Sequence, residues 1–190
     1  MTLKKIISVL FCIVLPLFLL LLSYQFTVTF FSQTPAQENT LKFLAGKEES
    51  TLNYTTPEIS HLNDVAQVMK SAEIVLFLSG IIILGVLFYF RKDKEQRWRL
   101  LKYGGASTIT FVLIILAALF FNFYSLFTLF HQLFFPQGNW QFAADSLLIQ
   151  TFPIEFFVNR GRRIFVLALV FGGMMIGIAY LLKRKMKTKN

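Results

Sequence analysis

The segment IISVLFCIVLPLFLLLLSYQF, residues 6–26, decides the fold class of this chain. It contains no charged residue, and about 20 predominantly apolar residues in a helix cross the hydrocarbon core of a bilayer. Three more uncharged, apolar segments follow at residues 74–90, 107–129 and 164–182. We therefore predict an all-α membrane protein, a four transmembrane helix bundle that forms one domain over residues 1–190.

The N-terminal segment also has the order of a secretory signal peptide, because Lys4 and Lys5 precede its apolar run. That run extends to about Phe31, beyond the roughly 7–15 residues of a signal core, and no clear small-residue cleavage site follows it. Phe11 directly before Cys12 does not fit a lipobox. We expect the segment to remain as a membrane anchor, and the single cysteine excludes a disulfide within the chain.

The net charge of +9 is unevenly distributed along the chain. Of the 19 basic residues, two are Lys4 and Lys5, six lie in residues 91–102 and five lie in residues 183–189. These 13 residues flank the apolar segments on one face, which the positive-inside rule assigns to the cytoplasm. We therefore predict a cell-membrane protein with both termini cytoplasmic. Its basic residues would meet anionic lipid head groups, and no nucleic-acid partner is needed.

The opposite face receives two long loops, at about residues 32–70 and 130–163, which we expect to form a small extracellular cap. Eight of the ten acidic residues lie in these loops or directly beside them. The second loop is rich in aromatic side chains, which settle at the membrane–water interface, and Pro136, Gly138 and Pro153 divide it.

Two patterns in the first loop predict helix starts. Residues 34–37, TPAQ, fit an N-cap threonine, an N1 proline and an N3 glutamine, and Gly46 would close that helix. Residues 56–57, TP, repeat the N-cap and N1 pattern. The helix that they begin would contain His61 and run into the second span.

The only two histidines, His61 and His131, lie in different loops, but the topology puts both on the outer side beside a helix end. Histidine titrates near neutral pH and is the usual general acid or base. Asp64 follows His61 by three residues and would share its helix face, where it could fix the tautomer. Two alternatives stay open. The histidines could be inert interfacial groups, or they could bind a metal with Asp64, Asp145 or Glu155, although no HExxH spacing is present.

Three arginines, Arg160, Arg162 and Arg163, lie on the outer face, against the charge rule. Cations that flank a helix start commonly act as membrane anchors. The alternative is that they dock a lipid head group or substrate, or pair with Glu155 or Asp64.

Two stretches of the sequence resemble the signatures of one family. Residues 58–65, EISHLNDV, resemble an E-x-x-H-[ML]-x-D-V signature. A second signature is matched in pieces at residues 130–135 (FHQLFF), 138–142 (GNWQF), 145–149 (DSLLI) and 152–157 (FPIEFF). Both signatures occur, in this order and between corresponding spans, in lipoprotein intramolecular transacylase and its relatives, which are small four-span proteins of mainly Gram-positive bacteria.

This resemblance implies an activity and an active-site pair. The family moves the sn-2 acyl chain of a lipoprotein diacylglyceryl group to the α-amine of the N-terminal cysteine, which leaves a lyso-form lipoprotein. Its two histidines, one per signature, correspond to His61 and His131. We assign His61 as the base, oriented by Asp64, and His131 as the proton donor, with an exchange of roles left open. Asn139 and the Trp140 indole N–H are candidates to stabilise the oxyanion.

Such an aminolysis would need no cofactor or metal, because the amine and the ester belong to one substrate molecule. The expected partners are a diacylated lipoprotein N-terminus and membrane lipid, and we expect a monomer. A non-catalytic membrane binding or scaffold protein is the main alternative, and it would tolerate His61→Ala. A small transporter is disfavoured because the predicted spans are almost free of ionisable residues.

Overall fold

A computed structural model describes residues 2–31 and 33–188 of the chain. The helices are α1 (Leu3–Phe30), α2 (Pro35–Leu44), α3 (Thr56–Tyr89), α4 (Lys94–Phe134), α5 (Leu147–Thr151) and α6 (Ile154–Lys187). Four of them, α1, α3, α4 and α6, are long and apolar enough to cross a membrane. The predicted fold class, an all-α membrane protein with a bundle of four spanning helices, is confirmed.

The two ends of the bundle differ in character, and we name them by their residues. The histidine end contains His61 near the start of α3 and His131 in the last turn of α4. The basic end contains the first turn of α4 at Lys94 and the last turns of α6 up to Lys187. Because α1 and α6 also cross between these ends, each end assembles residues that are far apart in the chain.

The core of the bundle lies where α1, α3 and α4 meet. Its buried side chains are Phe11, Leu15, Leu19, Ile83, Val86, Phe90 and Leu100. Helices in lipid gain little from the hydrophobic effect, so close packing of this kind contributes much of their association. The N-terminal helix is therefore an integral part of the bundle.

A close helix approach joins α4 and α6 at two glycines. A Cβ atom on Gly105 would lie 2.5 Å from the carbonyl oxygen of Gly172, which is too near for any side chain. Thr108 and Ala168 are fully buried beside this contact. Small residues let two backbones approach in this way in membrane helices.

The helix α4 is interrupted at Asn122, whose φ of −156° and ψ of 67° are not helical. The side-chain oxygen Oδ1 of Asn122 accepts a hydrogen bond from the main-chain N–H of Ser125, at 3.2 Å. Asparagine is a favoured N-cap for this reason. The part of α4 that follows Asn122 and contains His131 is thus a short helix with its own cap.

The first loop forms helices at both predicted starts. Thr34 caps α2 in a complete capping box with Gln37, and Gly46 follows the helix with a φ of 66°. These predictions are confirmed. The predicted N-cap of α3 is wrong by one residue, because Thr55 is the cap and Thr56 is already helical. The carboxylate of Glu58 selects Thr55, since it binds the main-chain N–H and the hydroxyl of that residue.

The second loop is shorter than predicted at both ends. Residues 130–134 belong to α4 and residues 154–163 belong to α6, so the connection covers residues 135–153 and contains α5. Helical hydrogen bonding continues past the apolar segments because it does not depend on hydrophobicity. A cluster of buried Leu44, Leu62, Leu148 and Phe152 holds the two loops together as a cap.

Candidate active site

The rings of His61 and His131 both pack on one aromatic side chain, Phe135. The distance from the Phe135 ring centroid is 4.8 Å to His61 and 5.6 Å to His131. Phe135 itself is buried, directly after the end of α4. The two histidines, which are 70 positions apart in the sequence, therefore belong to one cluster at the histidine end.

The orientation of His131 is fixed by the helix that carries it. Its Nδ1 atom lies 2.8 Å from the carbonyl oxygen of Phe127, one turn earlier in α4. A carbonyl oxygen only accepts hydrogen bonds, so Nδ1 carries the proton and the lone pair of the neutral ring is on Nε2. The rings of Phe127 and Trp140 flank the imidazole at centroid distances of 4.1 and 4.8 Å.

His61 is more deeply buried than His131, with 8% of its surface exposed. Its Nδ1 atom is buried and has no hydrogen-bond partner within the described residues. The side-chain oxygen Oδ1 of Asn139 is also buried and has no hydrogen-bond partner within the described residues. The Nδ1 atom of His61 can donate and the Oδ1 atom of Asn139 can accept. Leaving two such buried polar atoms unpaired costs folding free energy.

Asp64 binds the amide of Asn139 and makes no described hydrogen bond to His61. Its Oδ2 atom accepts from Asn139 Nδ2 at 2.7 Å and from Gln137 Nε2 at 2.6 Å. Asn139 Nδ2 also contacts the hydroxyl of Ser60, at 3.3 Å. Because a carboxylate only accepts, Asp64 fixes which end of Asn139 carries the NH₂ group. Asp64 therefore acts on the asparagine, and only its charge reaches His61.

Both histidines favour the neutral form. Burial lowers the pKa of His61, the neighbouring His131 lowers it further, and the charge of Asp64 and the amide of Asn139 only partly oppose this. Burial also lowers the pKa of His131, against the raising effect of its hydrogen bond to Phe127. Both residues lie outside the four apolar segments. At neutral pH the pair is thus two uncharged imidazoles, each able to accept a proton.

A cleft of about 290 Å³ opens beside the histidines. It is lined by Gln132, Phe135, Pro136, Gly138, Trp140 and Gln141. Trp140 lines this cleft and packs on His131, and its indole N–H has no hydrogen-bond partner among the described residues. Both hydrogens of the Asn139 amide are directed to Asp64 and Ser60. Of the two oxyanion candidates, only Trp140 therefore has a free donor.

Glu58 is a residue whose role the sequence reasoning missed. It is 2% exposed, and it accepts hydrogen bonds from Thr55 and from the main-chain N–H of Leu148, at 2.8 Å. Burial alone would raise its pKa, but these hydrogen bonds outweigh that effect and hold the pKa below its usual value. The T-x-x-E capping-box spacing was the available signal. Glu58 joins the start of α3 to the loop that carries Asn139 and Trp140.

The three arginines do not share one environment. Arg160 is 8% exposed, donates from Nη1 to the carbonyl oxygen of Thr27 in α1, and lies over the Phe156 ring. Arg163 lies over the ring of Phe31, 4.6 Å from its centroid, and Arg162 is exposed. Neither of the predicted carboxylate partners, Glu155 or Asp64, pairs with an arginine within residues 2–31 and 33–188.

The alternative of a metal site lacks a ligand set in the described part of the chain. No three His, Cys, Asp or Glu side chains converge there. Asp64 uses its carboxylate on two amides, and Glu155 lies in the first turn of α6.

These features define a class: a membrane protein with four spanning helices and a pair of histidines in an aromatic cap at one end. The sequence profile of the family "Lipoprotein intramolecular transacylase Lit" matches residues 33–157, which contain both histidines. The chain belongs to this family. The resemblance drawn from the two signatures is thereby confirmed, and the enzyme is favoured over the scaffold protein.

Solved structures of a Bacillus cereus protein have the same fold. The membrane-integral lipoprotein intramolecular transacylase Lit of that organism has a TM-score of 0.83 and 18% sequence identity, with 97% of this chain and 98% of the other covered. A variant of it, with a histidine replaced by arginine, has a TM-score of 0.82 and 17% sequence identity, with 98% of this chain and 95% of the other covered. A second variant, with alanine in place of histidine, has a TM-score of 0.81 and 17% sequence identity, with 97% of this chain and 96% of the other covered. No curated protein matches the sequence.

The family makes this protein a membrane acyltransferase that transfers an acyl chain within a lipoprotein. It converts the diacylglyceryl form to the lyso-form by O-to-N transfer of the sn-2 chain, as the resemblance implied.

Proposed function

We propose that His61 and His131 together move the proton that this acyl transfer requires. The observation that carries the proposal is their common contact with Phe135, a residue that also lines the cleft. In the reaction, a bond forms between the cysteine nitrogen and the acyl carbon, and the bond from that carbon to the glycerol oxygen breaks. One proton leaves the amine and ends on the glycerol oxygen, so the enzyme needs to accept it and return it.

We assign His131 as the first proton acceptor, because its hydrogen bond to Phe127 leaves Nε2 with the lone pair. This exchanges the roles assigned from the sequence alone. The proton then passes through His61, directly or over one water, to the glycerol oxygen. A histidine with a lowered pKa is a strong acid once it is protonated, which suits the delivery step. Both rings are neutral again when the turnover ends.

Asn139 and Trp140 support the pair in different ways. Asp64 holds the Asn139 amide, whose Oδ1 is directed into the cluster and would accept a hydrogen bond from Nδ1–H of His61. Trp140 supplies a free indole N–H at the cleft, and we assign it to the oxyanion of the tetrahedral intermediate. Donors aimed at a developing oxyanion contribute about 2.7–4 kcal/mol in other acyl-transfer enzymes.

No cofactor is required for this reaction. The ester and the amine are in one molecule, so the substrate supplies a proximity effect of about 7–11 kcal/mol. General acid–base catalysis adds roughly 10²–10⁴-fold. We take a monomer as the working unit.

We place the site at the outer membrane surface, with both termini in the cytoplasm. The basic end of the bundle supports this orientation, because positive residues remain on the cytoplasmic side. The exposed Arg162 and the half-buried Arg163 would then meet phosphate groups of outer-leaflet lipids or of the substrate. Reporters fused at Gly46 and at Gly138 should be external and one fused after the C-terminus internal. An external C-terminus would overturn the assignment.

The test of the proposed function uses purified protein in detergent, a synthetic diacylglyceryl lipopeptide and excess chelator, with mass spectrometry of the product. We expect the wild-type protein to form the N-acyl lyso product. His61→Ala and His131→Ala should each lose roughly 10²–10⁴-fold in rate, while Cys12→Ala stays active. Thermal unfolding of each variant checks that it is folded. Full activity of both folded histidine variants would contradict the proposal, as would a loss on chelation that an added metal restores.

A further inference from the structure

A second cavity lies at the basic end of the bundle, away from both histidines. Its volume is about 460 Å³, and it separates the first turn of α4 from the last turns of α6. The lining residues are Lys94, Arg97, Leu182, Lys185, Met186 and Thr188. Residues that are some 90 positions apart therefore build one concave site.

The cations of this cavity have no carboxylate partner among the described residues. Within residues 2–31 and 33–188, no carboxylate lies within 4.0 Å of the Lys94, Arg97 or Lys185 side-chain nitrogens. The two nearby acids are engaged elsewhere. Asp93 binds Lys4 at 3.1 Å, and Glu95 binds Arg99 at 2.8 Å.

Arg97 indicates which kind of anion the cavity binds. Its Nε atom is buried and has no hydrogen-bond partner among the described residues. Leaving a charged donor buried and unpaired is costly, and a phosphate oxygen is the kind of acceptor that a guanidinium group binds best. From the sequence, the basic residues 91–102 were expected to set the topology and to meet lipid head groups, but no defined binding site was predicted.

The rest of the lining indicates that the anion carries an apolar tail. Leu182 is the last residue of the apolar segment 164–182, and Met186 follows it one helical turn later. The cavity thus begins where the hydrocarbon core should end, with apolar and cationic residues side by side. We propose that it binds the phosphate head group of an anionic phospholipid, with the acyl chains extending along α6. Basic pockets between membrane helices bind anionic lipids in this way.

The experiment compares two charge-matched double variants of the full-length protein in detergent. Arg97→Gln with Lys185→Gln removes two cations from the cavity. Lys92→Gln with Lys187→Gln removes two exposed cations from the same end that do not line it. Thermal unfolding is followed while dioleoyl phosphatidylglycerol, dioleoyl phosphatidylcholine or inorganic phosphate is added.

We expect phosphatidylglycerol to raise the Tm of the wild-type protein and of the control variant, with most of this rise lost in the cavity variant. Phosphatidylcholine should give a small rise that is equal in all three proteins, which also shows that the variants are folded. An equal response of both double variants to phosphatidylglycerol would overturn the site, because the effect would then be general surface charge. A rise of the same size with inorganic phosphate would overturn the lipid as its ligand.

Discussion

The Nδ1 atom of His131 lies 2.8 Å from the carbonyl oxygen of Phe127, four residues earlier in the same helix. This single contact decides the tautomer of the imidazole, because the carbonyl can only accept. It also raises the pKa of His131, but burial lowers that pKa more strongly. The basic form of the ring therefore persists to lower pH than in an ordinary histidine.

We predict a pH profile from these shifts. A lowered pKa means that the neutral base is present above that pKa and is lost as the pH falls through it. The acidic limb of kcat/KM should therefore lie below the ordinary histidine value of about 6.5. The measurement is kcat/KM for a diacylglyceryl lipopeptide between pH 4 and 9. An acidic limb above about pH 7 that does not follow the pKa of the substrate α-amine, ordinarily about 7.7–8.0, would show that the catalytic base is not one of these buried histidines.

Substitutions of Asn139 are predicted to lower kcat, although its side chain is neutral. Asn139→Ala removes the group between Asp64 and His61, and we expect kcat to fall about tenfold to a hundredfold, the equivalent of one hydrogen bond to a charged group. Asn139→Asp should be worse, because two carboxylates would face each other where one amide now donates. Single-turnover rates measure the effect. If Asn139→Asp were as active as the wild-type protein, Asp64 would have no role in fixing this residue.

Glu58→Gln is predicted to destabilise the cap. One carboxylate now serves Thr55 and Leu148, and replacing a charged acceptor of buried hydrogen bonds costs about 1.5–3 kcal/mol. Its stabilising effect should be present above about pH 4.3 and be lost as the pH falls through the lowered pKa. Thermal unfolding is the measurement, and Glu38→Gln in the exposed part of α2 is the matched control. Equal Tm values for the two variants would contradict the structural role of Glu58.

The arginines should separate into two groups. Arg160→Gln removes a buried hydrogen bond between α6 and α1, and we expect a loss of stability of about 1–3 kcal/mol. Arg162→Gln and Arg163→Gln together should leave the Tm unchanged and raise KM for the lipopeptide. Unfolding and steady-state kinetics of the same preparations test this. An unchanged KM in the Arg162 and Arg163 variant would return these residues to simple membrane anchors.

The spans, and the placement of both histidines at one end of the bundle, could be predicted from the sequence for physical reasons. An apolar helix that crosses a bilayer needs a minimum length, so segments such as residues 107–129 are conspicuous. The T-P-x-Q pattern at Thr34 specifies its helix start because it satisfies free N–H groups locally. The position of both histidines next to helix ends on one face followed from topology alone.

Contacts between side chains that are far apart in the sequence could not be predicted in the same way. The spacing of His61 and Asp64 indicated a direct pair, but the loop folds back so that Asn139 takes the carboxylate. A helical spacing of three positions describes only neighbours on one helix, and a competing donor from a loop is invisible to it. The sequence also gave no sign that Arg160 differs from Arg162 and Arg163, since its partner is a main-chain carbonyl of α1.

The contact between Glu58 and Leu148 joins residues that are 90 positions apart. During biosynthesis the chain emerges from the N-terminus, so both helices that carry the histidines are complete before Leu148 is made. Until that residue reaches Glu58, the loop is held at the imidazoles only by the bonds of Gln137 and Asn139 to α3, without its buried link to Glu58. We therefore expect the newly made protein to be inserted well before it is active, and a nascent chain that stalls ahead of Leu148 to contain both histidines without a working enzyme.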